Sequence, residues 1–144
     1  MSNTYDLQRF RHAQNQFRQF ERALGEIMAG RKESHWIWYV FPQLKGLGKS
    51  YNSEYFGLAG AEEAAAYWED EILSQRLKTI TEAFLALEGK SAEEVPGGID
   101  AKKVHSSMTL FDVIHPDSLF RQVLVKYYDG KGDRGTLHLL GRSE

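Results

Sequence analysis

The segment Gly30 to Ser50, GRKESHWIWYVFPQLKGLGKS, concentrates the chemically capable side chains of this chain. Trp36, Trp38, Tyr39 and Phe41 can wall a pocket or stack a planar ligand, and Arg31, Lys32, Lys45 and Lys49 flank them with positive charge. An apolar wall bordered by cations suits a flat ring carrying a phosphate-like group. The plainer account of the same residues is a core cluster whose neighbouring cations are ordinary surface charges with snorkelling stems. His35 adds an imidazole suited to proton transfer near neutral pH, against the plainer role of a backbone-bonded histidine at a helix start. Gly48-Lys49-Ser50 ends like a phosphate-binding loop. However, the first glycine of that motif falls on Gln43, and no strand leads in. What survives is a loop in which Gly46 and Gly48 let the backbone approach an anion beside Lys49.

A second polar cluster comprises Asp100, Lys103, Ser106, Ser107 and Thr109. On a helix, Asp100, Lys103 and Ser107 share about one face. The hydroxyls of Ser106, Ser107 and Thr109 would then lie beside the tryptophan block. The simpler reading makes Asp100 an N-cap with a lysine one turn later. No Ser-His-Asp set can be assembled from sequence, because such triads are defined by geometry. Asp133 and Arg134, in a glycine turn, would close a pocket or merely shape the turn. The candidate catalytic residues are therefore His35 and Asp100. The candidate ligand-binding set is Arg31, Lys32, His35, Trp36, Trp38, Gln43, Lys49, Ser50, Lys103, Ser106, Ser107 and Thr109. His12, His105, His115 and His138 are scattered without metal-ligand spacing, so no metal site and no cofactor is expected.

These side chains must be positioned by helices. Residues 5 to 29 carry Leu7, Phe10, Phe17, Phe20, Leu24, Ile27 and Met28 at mostly three- and four-residue steps. They predict one long amphipathic helix, capped by Thr4 or Asp6 and stopped by Gly30. Residues 34 to 42 have β-propensity in IWYVF, but the helical surroundings favour a short helix capped by Ser34 and ended by Pro42. Residues 43 to 52 predict a glycine loop and 53 to 67 a helix. Residues 71 to 88 predict a helix with Ile72, Leu73, Leu77, Ile80, Phe84 and Leu87 as its stripe, closed by Gly89. Pro96 to Gly98 mark a turn before a helix over 101 to 113. Asp117 or Ser118 would cap another over 119 to 128, and a last short helix spans 136 to 140. The expectation is an all-α fold: one multihelical domain over residues 1–144.

The 144 residues match the common size of one domain, and 42% hydrophobic content suffices for a core. The net charge of −2 gives no overall basic field, so nucleic acid is not the expected partner. The absence of cysteine excludes disulfides, thiolate metal sites, iron–sulfur clusters and a cysteine nucleophile. MSNTYDLQRF lacks the apolar core of a signal peptide, and no run is long enough to span a bilayer. A cytoplasmic location without membrane partners is the expectation.

Four segments together carry a family resemblance: Asp6 to Phe10, the Gly30 to Ser50 block, Asp100-x-x-Lys103-x-x-Ser106-Ser107-x-Thr109-Leu110-Phe111, and Gly132-Asp133-x-x-Thr136-Leu137. On them the chain resembles a bacterial family of domains of unknown function that often carries the label calpastatin. The resemblance implies a compact, mostly helical domain and no assigned activity. The label implies nothing, because calpastatin is a disordered repeat protein and this chain is neither disordered nor repetitive. One departure stands out: Glu69-Asp70 follows Trp68 where the family tends to have a His-Pro turn, a change expected to touch a helix start and not a site.

Three functions follow as expectations. The first is a small-molecule binding domain, for a planar phosphorylated or nucleotide-like ligand, with its pocket between the 30–50 and 100–111 blocks. The second is an N-glycosidase-like hydrolase on nucleotide-like substrates, its carboxylate supplied by Glu33, Glu54 or Asp100. The third is a protein-partner module that exposes the aromatic block. Burial of Trp36 and Trp38 separates them: a concave wall favours the first two, and a flat exposed patch favours the third.

Overall fold

The computed structural model describes residues 5–142. The fold is all-α: α1 (Gln8–Asn15), α2 (Gln19–Met28), α3 (Ile37–Val40), α4 (Tyr51–Tyr55), α5 (Ala61–Glu69), α6 (Glu71–Ala86), α7 (Gly98–Ile114), α8 (Leu119–Tyr128) and α9 (Arg134–Leu139). Among the described residues, the extended pairing is an isolated parallel bridge between Leu44 and Leu58.

Helix α7 is the axis of the molecule. It packs against α3, α5, α8 and α9, while α6 packs against α2, α5 and α8. From Ser106 to Asp112 seven consecutive α7 residues are buried, so this helix is enclosed on all sides. Its small hydroxyl side chains suit that position. Thr109 returns its hydroxyl proton to the carbonyl of His105, and Ser106 shares its single hydroxyl proton between the carbonyl of Lys102 and Asp133 Oδ2. Leu110, Phe111, Phe120, Tyr67 and Phe10 join one continuous core beside it.

The predicted helix over 5–29 is broken. Residues 16–18 form a tight 3-10 turn in which Phe17 (φ 52°) and Arg18 (φ 55°) are left-handed, a conformation costing about 1 kcal/mol each for such residues. The bend wraps the chain around Arg76 of α6, whose guanidinium donates to Gln14 Oε1 (3.1 Å) and Asn15 Oδ1 (2.8 Å). It sits 5.6 Å from the Phe20 ring. Phe17, expected on the apolar face, is 78% exposed as a result. The start of α1 also differs: Leu7 holds the cap position without a capping side chain, and Thr4 lies outside the described residues. Gly30 does end α2, at φ +81°, with its own amide on Ile27 and that of Arg31 on Glu26.

The helix expected over 53–67 is likewise two. α4 ends at Tyr55, and the chain from Phe56 to Gly60 drops into the bridge with Leu44 before α5 begins. Gly57 makes this crossing: a Cβ there would lie 2.7 Å from Lys45 Cα and 2.7 Å from the Ser53 carbonyl. Asp70, at the departure from the family pattern, caps α6 by accepting from Ile72 (3.1 Å) and Leu73 (3.0 Å). Ile72 itself points outward and is exposed. Asp100 is no cap: α7 starts earlier, after Gly97, and Asp100 lies in its first turn.

Candidate functional site

Glu26 shapes the approach to the site. Its carboxylate accepts from the amides of Glu33 (2.7 Å) and Ser34 (2.9 Å), from Ser34 Oγ (2.6 Å) and from the Trp36 indole (2.9 Å). Partial burial pushes this carboxyl up, but the four donors outweigh it and hold the pKa at about 2. Ser34 is thereby spent on Glu26 instead of capping α3, whose cap position belongs to Trp36. Trp36 and Phe41 are fully buried, while Trp38, on the single turn of α3, is half-buried.

Trp38 lines a cleft of about 330 Å³. Gln43, Leu44, Leu47 and Gly48 form one side, Asn52, Ser53, Phe56 and Gly57 a second, and Ile99, Lys102, Lys103 and Ser106 of α7 a third. Asp133 and Gly135, where α9 begins, close it. Each side is anchored from behind. Leu58 donates to the Gln43 carbonyl (2.9 Å) and Lys45 to that of Leu58 (2.8 Å). Arg9 clasps the α4 exit, donating to the carbonyls of Tyr55 (2.8 Å) and Gly57 (3.0 Å) and pairing with buried Glu63 (3.0 Å). Glu63 in turn accepts from Ala59. Asp133 Oδ2 accepts from Ser106 Oγ (3.2 Å), Thr136 N (2.9 Å) and Thr136 Oγ1 (2.8 Å), and its own amide donates to Thr109 Oγ1. It thus caps α9 and ties that helix to α7.

A second depression of about 410 Å³ adjoins the cleft and shares Trp38, Ile99 and Lys103 with it. Lys32, His35, Ile37, Asp100 and the 96–98 turn complete it. Asp100 bridges two cations there, Lys32 at 2.8 Å and Lys103 at 3.5 Å. The Lys103 ammonium also stands 4.9 Å from the Trp38 ring, within cation–π range.

The sequence candidates divide accordingly. Trp38, Gln43, Lys103 and Ser106 line the cleft, and Lys32, His35 and Asp100 line the depression. Trp36 belongs to the core, as do Ser107 and Thr109. Arg31 and Lys49 are exposed and border neither cavity, and Ser50 caps α4 through the amide of Ser53. Leu44, Leu47, Asn52, Ser53, Phe56, Gly57, Ile99 and Lys102 line the cleft without having been read from sequence. One signal was present for that wall: Gly57 interrupts an otherwise helical pattern, which marks a close backbone approach. Among the described residues no three metal-ligating side chains cluster, and no helix is long and apolar enough to cross a membrane.

The chain belongs to the family described as protein of unknown function (DUF1810), whose model matches residues 4–140. Among solved structures it is similar to the crystal structure of the conserved hypothetical protein Rv1873 from Mycobacterium tuberculosis. The two share 40% sequence identity with a TM-score of 0.93, over 98% of this chain and 100% of that one. No curated protein matches the chain.

Proposed function

We propose that this DUF1810 protein binds a small planar ligand, phosphorylated or nucleotide-like, in the cleft between the 38–57 segment, α7 and the start of α9. One observation carries the reading: an apolar-walled cleft of about 330 Å³ onto which a few polar and cationic side chains converge. Cavities of that size and make-up are where proteins hold small molecules. Trp38, Leu44, Leu47 and Phe56 offer flat and aliphatic surface, Asn52, Ser53 and Ser106 offer hydrogen bonds, and Lys102 and Lys103 offer charge. The four segments that carry the family resemblance also meet here. Arg9 braces the α4 exit, Trp38 and Gln43 are on one wall, Lys103 and Ser106 on another, and Asp133 closes the end.

The other two readings draw less support. Glycosidic hydrolysis needs a carboxylate facing the reacting bond. Glu33 and Glu54 do not line the cleft, Asp100 is paired with Lys32, and Asp133 Oδ2 is engaged by three donors. The partner-binding reading needs an exposed aromatic patch in the 36–41 block, where Trp36 and Phe41 are sealed.

A thermal-shift screen against nucleosides, nucleotides, ADP-ribose, NAD, flavin precursors and sugar phosphates tests the proposal. A ligand at about 100 times its Kd adds roughly 2.7 kcal/mol of stability, and Trp38→Ala should abolish the gain while the variant stays folded. No stabilisation across the panel, or stabilisation indifferent to Trp38→Ala, refutes it.

A further inference from the structure

We propose that the ligand is bipartite, with its planar part in the cleft and a phosphomonoester in the adjoining depression against Lys103. This rests on the binding function proposed above and assigns the acidic half of the ligand to a place and a class.

The depression adjoins the cleft, and Trp38, Ile99 and Lys103 border both. The cleft's walls are mainly apolar, whereas the depression gathers Lys32, Lys103, His35 and Asp100. The two lysines there play different parts. The Lys32 side chain is only 6% exposed, its ammonium fixed 2.8 Å from Asp100 and also bonded to the Ser34 carbonyl. Lys103 is 26% exposed and holds Asp100 at 3.5 Å from one helical turn away, a contact of the kind worth only a few tenths of a kcal/mol. The Lys32–Asp100 pair is therefore a fixed floor. Lys103 is the cation able to turn to an incoming anion without breaking a strong bond, and its position above Trp38 joins the two compartments.

Charge counting narrows the class. Asp100 neutralises one of the two lysines in the depression, leaving one positive charge there, and on the cleft Asp133 offsets Lys102, so the two compartments together carry about one net positive charge. A phosphomonoester carries about −1.5 to −2 near neutral pH, so that it leaves at most about one negative charge unmatched. A triphosphate would leave about three negative charges unmatched beside Asp100. The loop cations Arg31 and Lys49, prominent in sequence, border neither compartment.

The test is calorimetric titration of the wild type, Lys103→Met and Lys49→Met with purine, pyrimidine, nicotinamide and flavin nucleosides, each alone, as the 5′-monophosphate and, for the purines and pyrimidines, as the triphosphate. At least one monophosphate should bind about tenfold or more tighter than its nucleoside and tighter than its triphosphate. That gain should vanish in Lys103→Met and persist in Lys49→Met. A nucleoside that binds as tightly as its monophosphate, or a monophosphate gain indifferent to Lys103→Met, overturns the anion subsite and leaves the cleft reading standing. Failure of every compound to bind overturns both.

Discussion

Glu26→Gln removes one charge and little volume, and its cost can be worked from the four donors that converge on the carboxylate at 2.6 to 2.9 Å. A carboxyl held at about 2 in the folded chain against an ordinary 4.5 corresponds to about 3.4 kcal/mol before screening. Glu26 is only half-buried, so solvent reduces this to about 1.5–2 kcal/mol. Charge-assisted bonds of this kind give the same order, about 1.5–3 kcal/mol. The glutamine oxygen still accepts from one or two donors, which places the expected loss near the lower figure, about 1.5 kcal/mol. Because the folded pKa is depressed, the contribution is fully present above the unfolded value of 4.5 and is lost as the pH falls from there through about 2. Urea unfolding of wild type and Glu26→Gln at about pH 7 should differ in midpoint by roughly 1 M, and the difference should close as the pH approaches about 2. A loss below about 0.5 kcal/mol at neutral pH, or one that is unchanged down to about pH 2, would refute this account. The consequence reaches the cleft, since Glu26 pins residues 33–36 immediately before the turn that presents Trp38.

Two further predictions concern the scaffold. Arg9→Met strands Glu63, whose side chain is 5% exposed, and should cost about 3–5 kcal/mol, whereas Arg9→Met combined with Glu63→Met should recover much of that loss. Equal losses in the single and double variants, read by denaturant unfolding, would show that the pair is not the anchor of the 55–57 wall. Phe17→Gly should stabilise by about 0.5–1 kcal/mol, because a left-handed, 78% exposed residue gains conformational ease and surrenders little burial; a lower melting temperature would contradict the strain assigned to the α1–α2 bend.

Helix content was legible wherever a buried stripe repeats with helical period, as Leu73, Leu77, Ile80 and Phe84 do along α6. Glycine stops were legible too, since Gly30 takes the positive φ its position after α2 demands. The breaks were not, because each is set by a partner distant in sequence. The α1–α2 bend answers Arg76, about sixty positions later. The α4–α5 break answers Leu44, across the bridge. Local propensity carries no trace of such partners. Ser34 and Asp100 show the same effect at single residues. Both have the side chain of a cap, yet Glu26 claims one and Lys32 the other.

The division of the Gly30–Ser50 block follows from this. A mixed run of aromatics and cations looks uniform in sequence, but two residues, about half a helical turn, separate sealed Trp36 from cleft-lining Trp38. Lys32 is drawn inward by Asp100 while Arg31 beside it stays in solvent. The cations that border the cavities are thus those with a partner on α7 or a place along it: Lys32, Lys102 and Lys103. Since α7 packs against four other helices, a ligand engaging Lys102 or Lys103 touches the most constrained element of the fold. The ammonium ions therefore stand on a scaffold that binding need not order, and side-chain and loop ordering is a principal cost of association. The exposed Lys49, on a glycine loop, has no such support, which is the physical reason for placing the anion against α7 and not in the loop whose sequence imitates a phosphate cradle.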